Sequence, residues 1–327
     1  MKKILKEQFS IFNIMEDTAT NGQVAPVERG NKVNGGAREG GLGQKIVRRV
    51  KRIKKAERQI PEIAQDVSPT LPPTEKWDRV FQNLISGLKK YFADNHLTKA
   101  VLGVSGGVDS ALTLFIAVEA LGAENVTALV MPELGLSNLE NVEHAKMLCD
   151  FLKVQYYYQP INPFLVDFTA LPWKQSRLAE MNTKARARAV LLYNFANTEN
   201  ALVLGTSNKS ELLLGYGTKY GDLAADVEVI AELYKTEVVE LAAHIGLPEE
   251  IVNKTPTAEL APGQTDEGEM GATYKEMDKV LMKLDLGIDG CVGHGMPSGL
   301  TQMVFRRVKE NKHKTKMPHI IKAGKES

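Results

Sequence analysis

Cysteine is nearly missing from this chain: two residues, Cys149 and Cys291, among 327. Their spacing matches neither a disulfide framework nor a Cys-x-x-Cys motif, so a reducing, cytoplasmic setting is expected. Cys149 falls within a helical apolar pattern and reads as a buried thiol rather than a ligand or nucleophile. No apolar run approaches the roughly 20 residues that a membrane-crossing helix requires. Met1-Lys-Lys-Ile-Leu-Lys-Glu-Gln lacks the apolar core of a secretory leader. Excess charge is missing too: the formal net charge is +1, which argues against a chain whose whole surface binds nucleic acid. The commonest phosphate-binding pattern, Gly-x-x-x-x-Gly-Lys-Ser/Thr, is also absent. What remains is an ordinary soluble composition, 43% hydrophobic, long enough for one large domain or two smaller ones.

Charge is nonetheless unevenly placed. Residues 45–58 carry eight Lys/Arg against the single Glu57, with Ile46, Val47, Val50 and Ile53 at roughly helical spacing. Upstream, Thr18 to Gly43 is rich in Gly, Asn and Arg without periodicity, and Ser68-Pro-Thr-Leu-Pro-Pro closes the region. Residues 1–73 therefore read as an extension, mostly disordered or helical, ahead of a body at 74–327. It is either a solvated tail or a helix that docks on an anionic partner such as RNA, a membrane surface or another subunit.

From Thr74 the pattern becomes regular. Thr74 reads as an N-cap, and Trp77, Val80, Phe81, Leu84, Ile85, Leu88, Tyr91 and Phe92 mark one helical face. Strands are then expected at 100–104, 126–131, 154–158 and 201–205. Helices are expected at 110–121, 138–152, 182–196 and 235–245. Near-continuous apolar strands between amphipathic helices predict an α/β fold: a parallel sheet with helices on both faces and right-handed crossovers. Ligands in such folds bind beyond the carboxyl ends of the strands.

The first expected strand runs into Gly103-Val-Ser-Gly-Gly-Val-Asp109-Ser110 and then a helix. Such a turn aims backbone N–H groups and a helix N-terminus at one point, which suits an anion. Glycine lets the main chain approach a phosphate closely. Asp109 beside an anion site makes sense if a cation bridges the two. Ser-Gly-Gly-x-Asp-Ser resembles the pyrophosphate loop of ATP pyrophosphatases. Near the end of the 201–205 strand, Thr206 and Glu211 are about one helical turn apart. Lys219, Asp222, Asp226 and glycines at 215, 217 and 221 follow in a polar, permissive segment.

Gly205-Thr-Ser-Asn-Lys-Ser-Glu211, Thr218-Lys-Tyr-Gly-Asp222, Leu233-Tyr-Lys235 and Gly263-Gln-Thr-Asp-Glu267 resemble ammonia-dependent NAD synthetases in order and spacing. Lys184-Ala-Arg186-Ala-Arg188 and Pro256-Thr-Ala-Glu-Leu fit the same pattern. The likeness covers about residues 75–320. It implies an adenine-nucleotide α-hydrolase-like, Rossmann-like fold. It also implies a reaction in which ATP adenylates deamido-NAD, releasing pyrophosphate, and ammonia then displaces AMP. By resemblance, Gly103, Val104, Ser105, Gly106, Gly107, Val108, Asp109 and Ser110 bind ATP with Thr206, Lys235 and Thr257. Asp109 and Glu211 hold Mg²⁺. Arg186, Lys219, Asp226, His313 and Lys314 bind deamido-NAD. Asp222 takes the proton of incoming ammonium, and Lys235 stabilises charge developing on phosphate. A homodimer with the dinucleotide at its interface is implied as well.

Two positions depart from the family pattern: Val229 stands where Pro is usual in Asp-x-x-Pro-Ile, and Thr315, not Arg, follows Lys314. Other ATP pyrophosphatases remain alternatives, namely GMP synthetase, asparagine synthetase or tRNA-modifying enzymes. A non-catalytic nucleotide-binding protein is a further one.

Overall fold

The computed structural model describes residues 73–323. The expected basic helix at 45–58, and the rest of the extension up to residue 72, lie outside the described residues. Five strands form one sheet: β1 (Lys99–Gly103), β2 (Val126–Val130), β3 (Gln155–Tyr158), β4 (Ala201–Gly205) and β5 (Val227–Glu228). Their order is β3-β2-β1-β4-β5, and every pairing is parallel. Ala100 in the central strand lies opposite Val126 on one side and Leu202 on the other. The expected parallel α/β sheet is thus present.

Twelve α-helices accompany the strands among the described residues. They are α1 (Pro73–Asp94), α2 (Val108–Leu121), α3 (Leu139–Leu152), α4 (Asn162–Leu165), α5 (Arg177–Glu199), α6 (Lys209–Leu214), α7 (Lys235–Ile245), α8 (Glu249–Val252), α9 (Asp266–Met270), α10 (Tyr274–Leu281), α11 (Gly287–Gly293) and α12 (Ser298–Asn311). From β1 the chain winds through α2 and α3 toward β3, then returns through α5 to β4. Right-handed crossovers in opposite directions put these helices on opposite faces. Leu191, Leu192 and Phe195 of α5 cover Val101, Leu129 and Val203. Helix α2 packs on β1 and β2 with α1 and α7 outside it. It is buried nearly all round, as a helix apolar on every side must be.

A second core joins the short helices after the sheet. Leu214, Met270, Tyr274, Met277, Val280, Leu281, Cys291 and Val304 pack together there. Both cysteines are free and buried, and burial pushes the Cys149 thiol up to about 12.

Several expected details are corrected. Helix α1 begins at Pro73, one residue ahead of the expected cap position; Pro suits that first position because its missing N–H would be unpaired anyway. Helix α5 is longer than 182–196. Ser176 caps its start by accepting the Ala179 N–H (3.2 Å), and Asn200 ends it in the left-handed region at φ 53°. Strand β3 is not apolar and doubly buried but an exposed edge, Gln-Tyr-Tyr-Tyr. Helix α6, strand β5 and helices α8 and α9 are too short to stand out as periodic segments, whereas α10 and the 14-residue α12 are amphipathic helices additional to those expected.

Candidate active site

A cleft of about 470 Å³ opens at the carboxyl ends of β1 and β4. Here the strand order reverses, β1 leading toward β2 and β4 toward β5, which is where open parallel sheets bind ligands. Gly103, Val104, Ser105, Gly107, Val108, Asp109 and Ser110 all line it. Gly107 precedes α2 without a side-chain cap, leaving the first amides of the helix available to an anion. Ser110 braces the turn: its hydroxyl accepts from Ser105 N–H (3.2 Å) and donates to the Gly107 carbonyl (3.0 Å). Gly106 packs against the start of α3. At φ 83° it lies where a β-carbon would come within 2.1 Å of the Asn141 carbonyl, so only glycine fits.

Asp109, on the first turn of α2, meets residues carried by β4 and α7. Its Oδ2 accepts from the Lys235 ammonium, and its Oδ1 from Asn208 Nδ2 at 2.9 Å. Lys235 also stands 3.9 Å from Glu211. Asn208 and Glu211 form the capping box of α6: Asn208 Oδ1 accepts from the Glu211 amide (3.0 Å) and Glu211 Oε2 from the Asn208 amide (3.2 Å). Helix capping therefore orients the second carboxylate. Burial and the Asp109 charge raise the Glu211 pKa well above its ordinary value. Burial alone would lower Lys235, but Asp109 and Glu211 outweigh it and keep the ammonium charged.

Two supporting acids escaped the sequence reading, as did the role of Asn208. Asp266, which lies in the quoted Gly-Gln-Thr-Asp-Glu motif, accepts from Tyr216 (3.1 Å) and Tyr274 (3.4 Å), and burial raises its pKa. Buried Asp278 on α10 accepts from the Ser210 hydroxyl, and from Thr236 N–H (3.0 Å) and Oγ1 (2.8 Å). It so joins the starts of α6 and α7, which carry Glu211 and Lys235. Nothing in the pattern around Asp278 singles it out.

The remaining expected residues divide. Thr206, Asp222, Thr257 and Lys314 line the cleft. Thr257 Oγ1 donates to the Gln264 carbonyl at 2.7 Å. Asp222 Oδ1 accepts from Thr218 N–H at 2.9 Å, and burial raises its pKa against the lowering effects of that bond and of Lys314. Lys314 donates to the Gly215 and Gly217 carbonyls (2.8 and 3.2 Å). Arg186, Lys219 and His313 stand outside the cleft but together: Arg186 Nε donates to the Lys219 carbonyl (3.3 Å), and Lys219 Nζ to the His313 carbonyl (3.0 Å). Asp226 is engaged with the sheet, accepting from Val203 N–H (2.8 Å) and Tyr193 OH (3.2 Å). Val229 is buried and Thr315 exposed.

The arrangement offers an anion-binding loop, two oxygen donors beside it and a buried cation between them. The family model for NAD synthase matches residues 80–318. An NH(3)-dependent NAD(+) synthetase of Wolinella succinogenes is 42% identical over 240 residues, covering 72% of this chain and 93% of the relative. One from Methanococcus aeolicus is 50% identical over 189 residues, 57% of this chain and 74% of that protein. Among solved structures, the NH3-dependent NAD synthetase of Campylobacter jejuni superposes with TM-score 0.65 at 34% identity, covering 75% of this chain and 99% of the other. The NMN synthetase of Francisella tularensis superposes with TM-score 0.65 at 29% identity, covering 78% and 99%. On this agreement of motif, fold and site, the chain belongs to the NAD synthase family.

Proposed function

We infer that this cleft makes NAD by ammonia-dependent amidation: ATP adenylates the nicotinate carboxylate of deamido-NAD, and ammonia displaces AMP. The observation that carries the reading is the Asp109–Lys235–Glu211 cluster, joined by Asn208, at the mouth of the Ser-Gly-Gly loop.

The chemistry asks the protein to bring a carboxylate to a triphosphate, both negative. The loop amides and Lys235 meet that charge where pyrophosphate departs. Thr206 and Thr257 add hydroxyls along the ATP wall. Asp109 and Glu211 supply hard oxygen donors of the kind magnesium takes, one or two carboxylates completed by phosphate oxygens. No group of three or more His, Cys, Asp or Glu suited to a metal occurs among the described residues, so substrate oxygens would complete the shell. Magnesium held there would screen the triphosphate charge.

Ammonia must attack as the free base. Asp222, with its raised pKa, is the residue proposed to take the proton from ammonium as the C–N bond forms. We assign the dinucleotide to the rim that Arg186, Lys219, His313 and Lys314 build, whose cations suit its pyrophosphate. Asp226 would serve there with Tyr193.

Phe164, Phe168, Trp173 and Val190 are exposed apolar side chains within one stretch of chain. They support pairing of two copies. Among the described residues no helix is long and apolar enough to cross a membrane, and we place the enzyme in the cytoplasm. Residues 1–73 are assigned as an appendage to the body at 74–327, dispensable for turnover.

The test is purified protein with ATP, Mg²⁺, deamido-NAD and ammonium chloride, with glutamine in a parallel reaction. Equal amounts of NAD, AMP and pyrophosphate are expected with ammonium and none with glutamine. Pyrophosphate release that ignores deamido-NAD would refute the reading.

A further inference from the structure

Lys254 is a cleft-lining cation that neither the family motifs nor the mechanism above uses. Its ammonium donates to three neutral acceptors on two other elements: the Gly106 carbonyl of the pyrophosphate loop (3.1 Å), Asn141 Oδ1, and His144 Nδ1 on α3 (2.9 Å). Acceptance through Nδ1 requires a neutral imidazole. Burial and the Lys254 charge both lower the His144 pKa, which favours that form. The carboxylates that act on Lys254 are Glu140 and Glu259, and burial outweighs both, lowering its pKa. Glu259 is already occupied, accepting from Asn141 Nδ2 and from Asn138 N–H at 3.3 Å. Asn141 thus holds Lys254 with its oxygen and Glu259 with its nitrogen, so both ends of the 254–259 segment are latched to the start of α3. Glu259 adopts φ 48° in that latch, a conformation costly for a residue with a side chain.

Among the described residues no carboxylate contacts this partly buried ammonium; Glu140 and Glu259 act on it only from a distance, and on the wall of an anion-binding cleft a phosphate would supply a direct counter-charge. The ammonium's perch on the Gly106 carbonyl puts it on the same loop whose amides face the cleft. We propose that Lys254 binds the departing pyrophosphate during adenylation, leaving its neutral acceptors for the phosphate oxygens. This rests on the reaction assigned above. In that step a nicotinate oxygen bonds to the α-phosphorus. The bond from that phosphorus to the bridging oxygen breaks, and its electron pair leaves with pyrophosphate. Lys254 stabilises the added charge by hydrogen bonding and keeps its own proton.

Exchange of labelled pyrophosphate into ATP, with deamido-NAD and no ammonium, reads this step alone. Lys254→Met should slow exchange by about 100-fold or more, the cost of removing one charge-stabilising donor. Lys254→Arg should recover a substantial part, and the KM for ammonium in the full reaction should stay within about twofold. Asn141→Ala breaks the latch but keeps the cation, and should lose far less. Exchange by Lys254→Met within about threefold of wild type, or equal losses in Lys254→Met and Asn141→Ala, would overturn the proposal. Calorimetric binding of magnesium pyrophosphate separates this claim from the reaction itself. Binding at least tenfold weaker in Lys254→Met supports the residue's role even if the wild type fails to exchange, a failure that would count against the assigned reaction. Equal binding by the two proteins would remove Lys254 from the site.

Discussion

Asp109 and Glu211, the proposed metal ligands, are each oriented by a protein neighbour, Asp109 by Asn208 and Glu211 by its helix cap. Asp109→Asn and Glu211→Gln remove the charge at nearly constant side-chain volume, and Asp109→Asn also replaces one accepting oxygen by a donor facing Lys235 or Asn208. Each should cut NAD formation by about 10²-fold or more, with an unchanged circular dichroism spectrum. Substantial turnover in both would sink the metal assignment. Glu228 poses a different question. It lies against Gly205, where an added β-carbon would be 2.2 Å from its Oε2, and that oxygen has no hydrogen-bond partner among the described residues. Burial pushes its carboxyl from 4.5 to about 7. Between these values the folded chain holds a proton that the unfolded chain has released, so stability falls as pH rises through the window, by about 3 kcal/mol in all. Urea unfolding at pH 5 and pH 8 should show this loss in the wild type and much less of it in Glu228→Gln. Equal slopes in the two proteins would refute it.

The turn from β1 into α2 is the element on which the rest depends. Its glycines, serines and aspartate were legible as an anion loop because the strand, turn and helix that make one are contiguous in the chain. Contiguity is also why Ala201–Gly205 and Lys235–Ile245 have the bounds that the apolar pattern predicts. Helix α6 was not legible: six residues carry too little periodicity, and its cap was readable only as a motif. Nor was the crowding behind Gly106, since Asn141 comes from another element. Gly106→Ala demands both a positive φ and space that the Asn141 backbone fills. The substitution should lower the melting temperature by several degrees and weaken ATP binding in a titration. An alanine enzyme with wild-type melting and affinity would mean that the loop has another conformation to use.

At the scale of the molecule, the exposed apolar side chains between Phe164 and Val190 are the surface on which the proposed second copy would pair. Sedimentation should give a dimer for the wild type. Trp173→Asp combined with Val190→Asp should give a monomer whose KM for deamido-NAD is raised at least tenfold. A wild-type monomer with full activity would refute both the pairing and the shared site.

The chain's own order determined the parallel sheet and the glycine-rich turn from β1 into α2, because each arises from short-range periodicity or from a contiguous motif. Tertiary structure alone decided that Lys235 would lie between Asp109 and Glu211, which stand 126 and 24 residues away along the chain. It also decided that Asp278 would join two helix starts, and that Lys254 would reach the pyrophosphate loop. These contacts depend on which strand ends the crossovers bring together, and charge balance at a buried site is a sum over neighbours in space rather than in sequence.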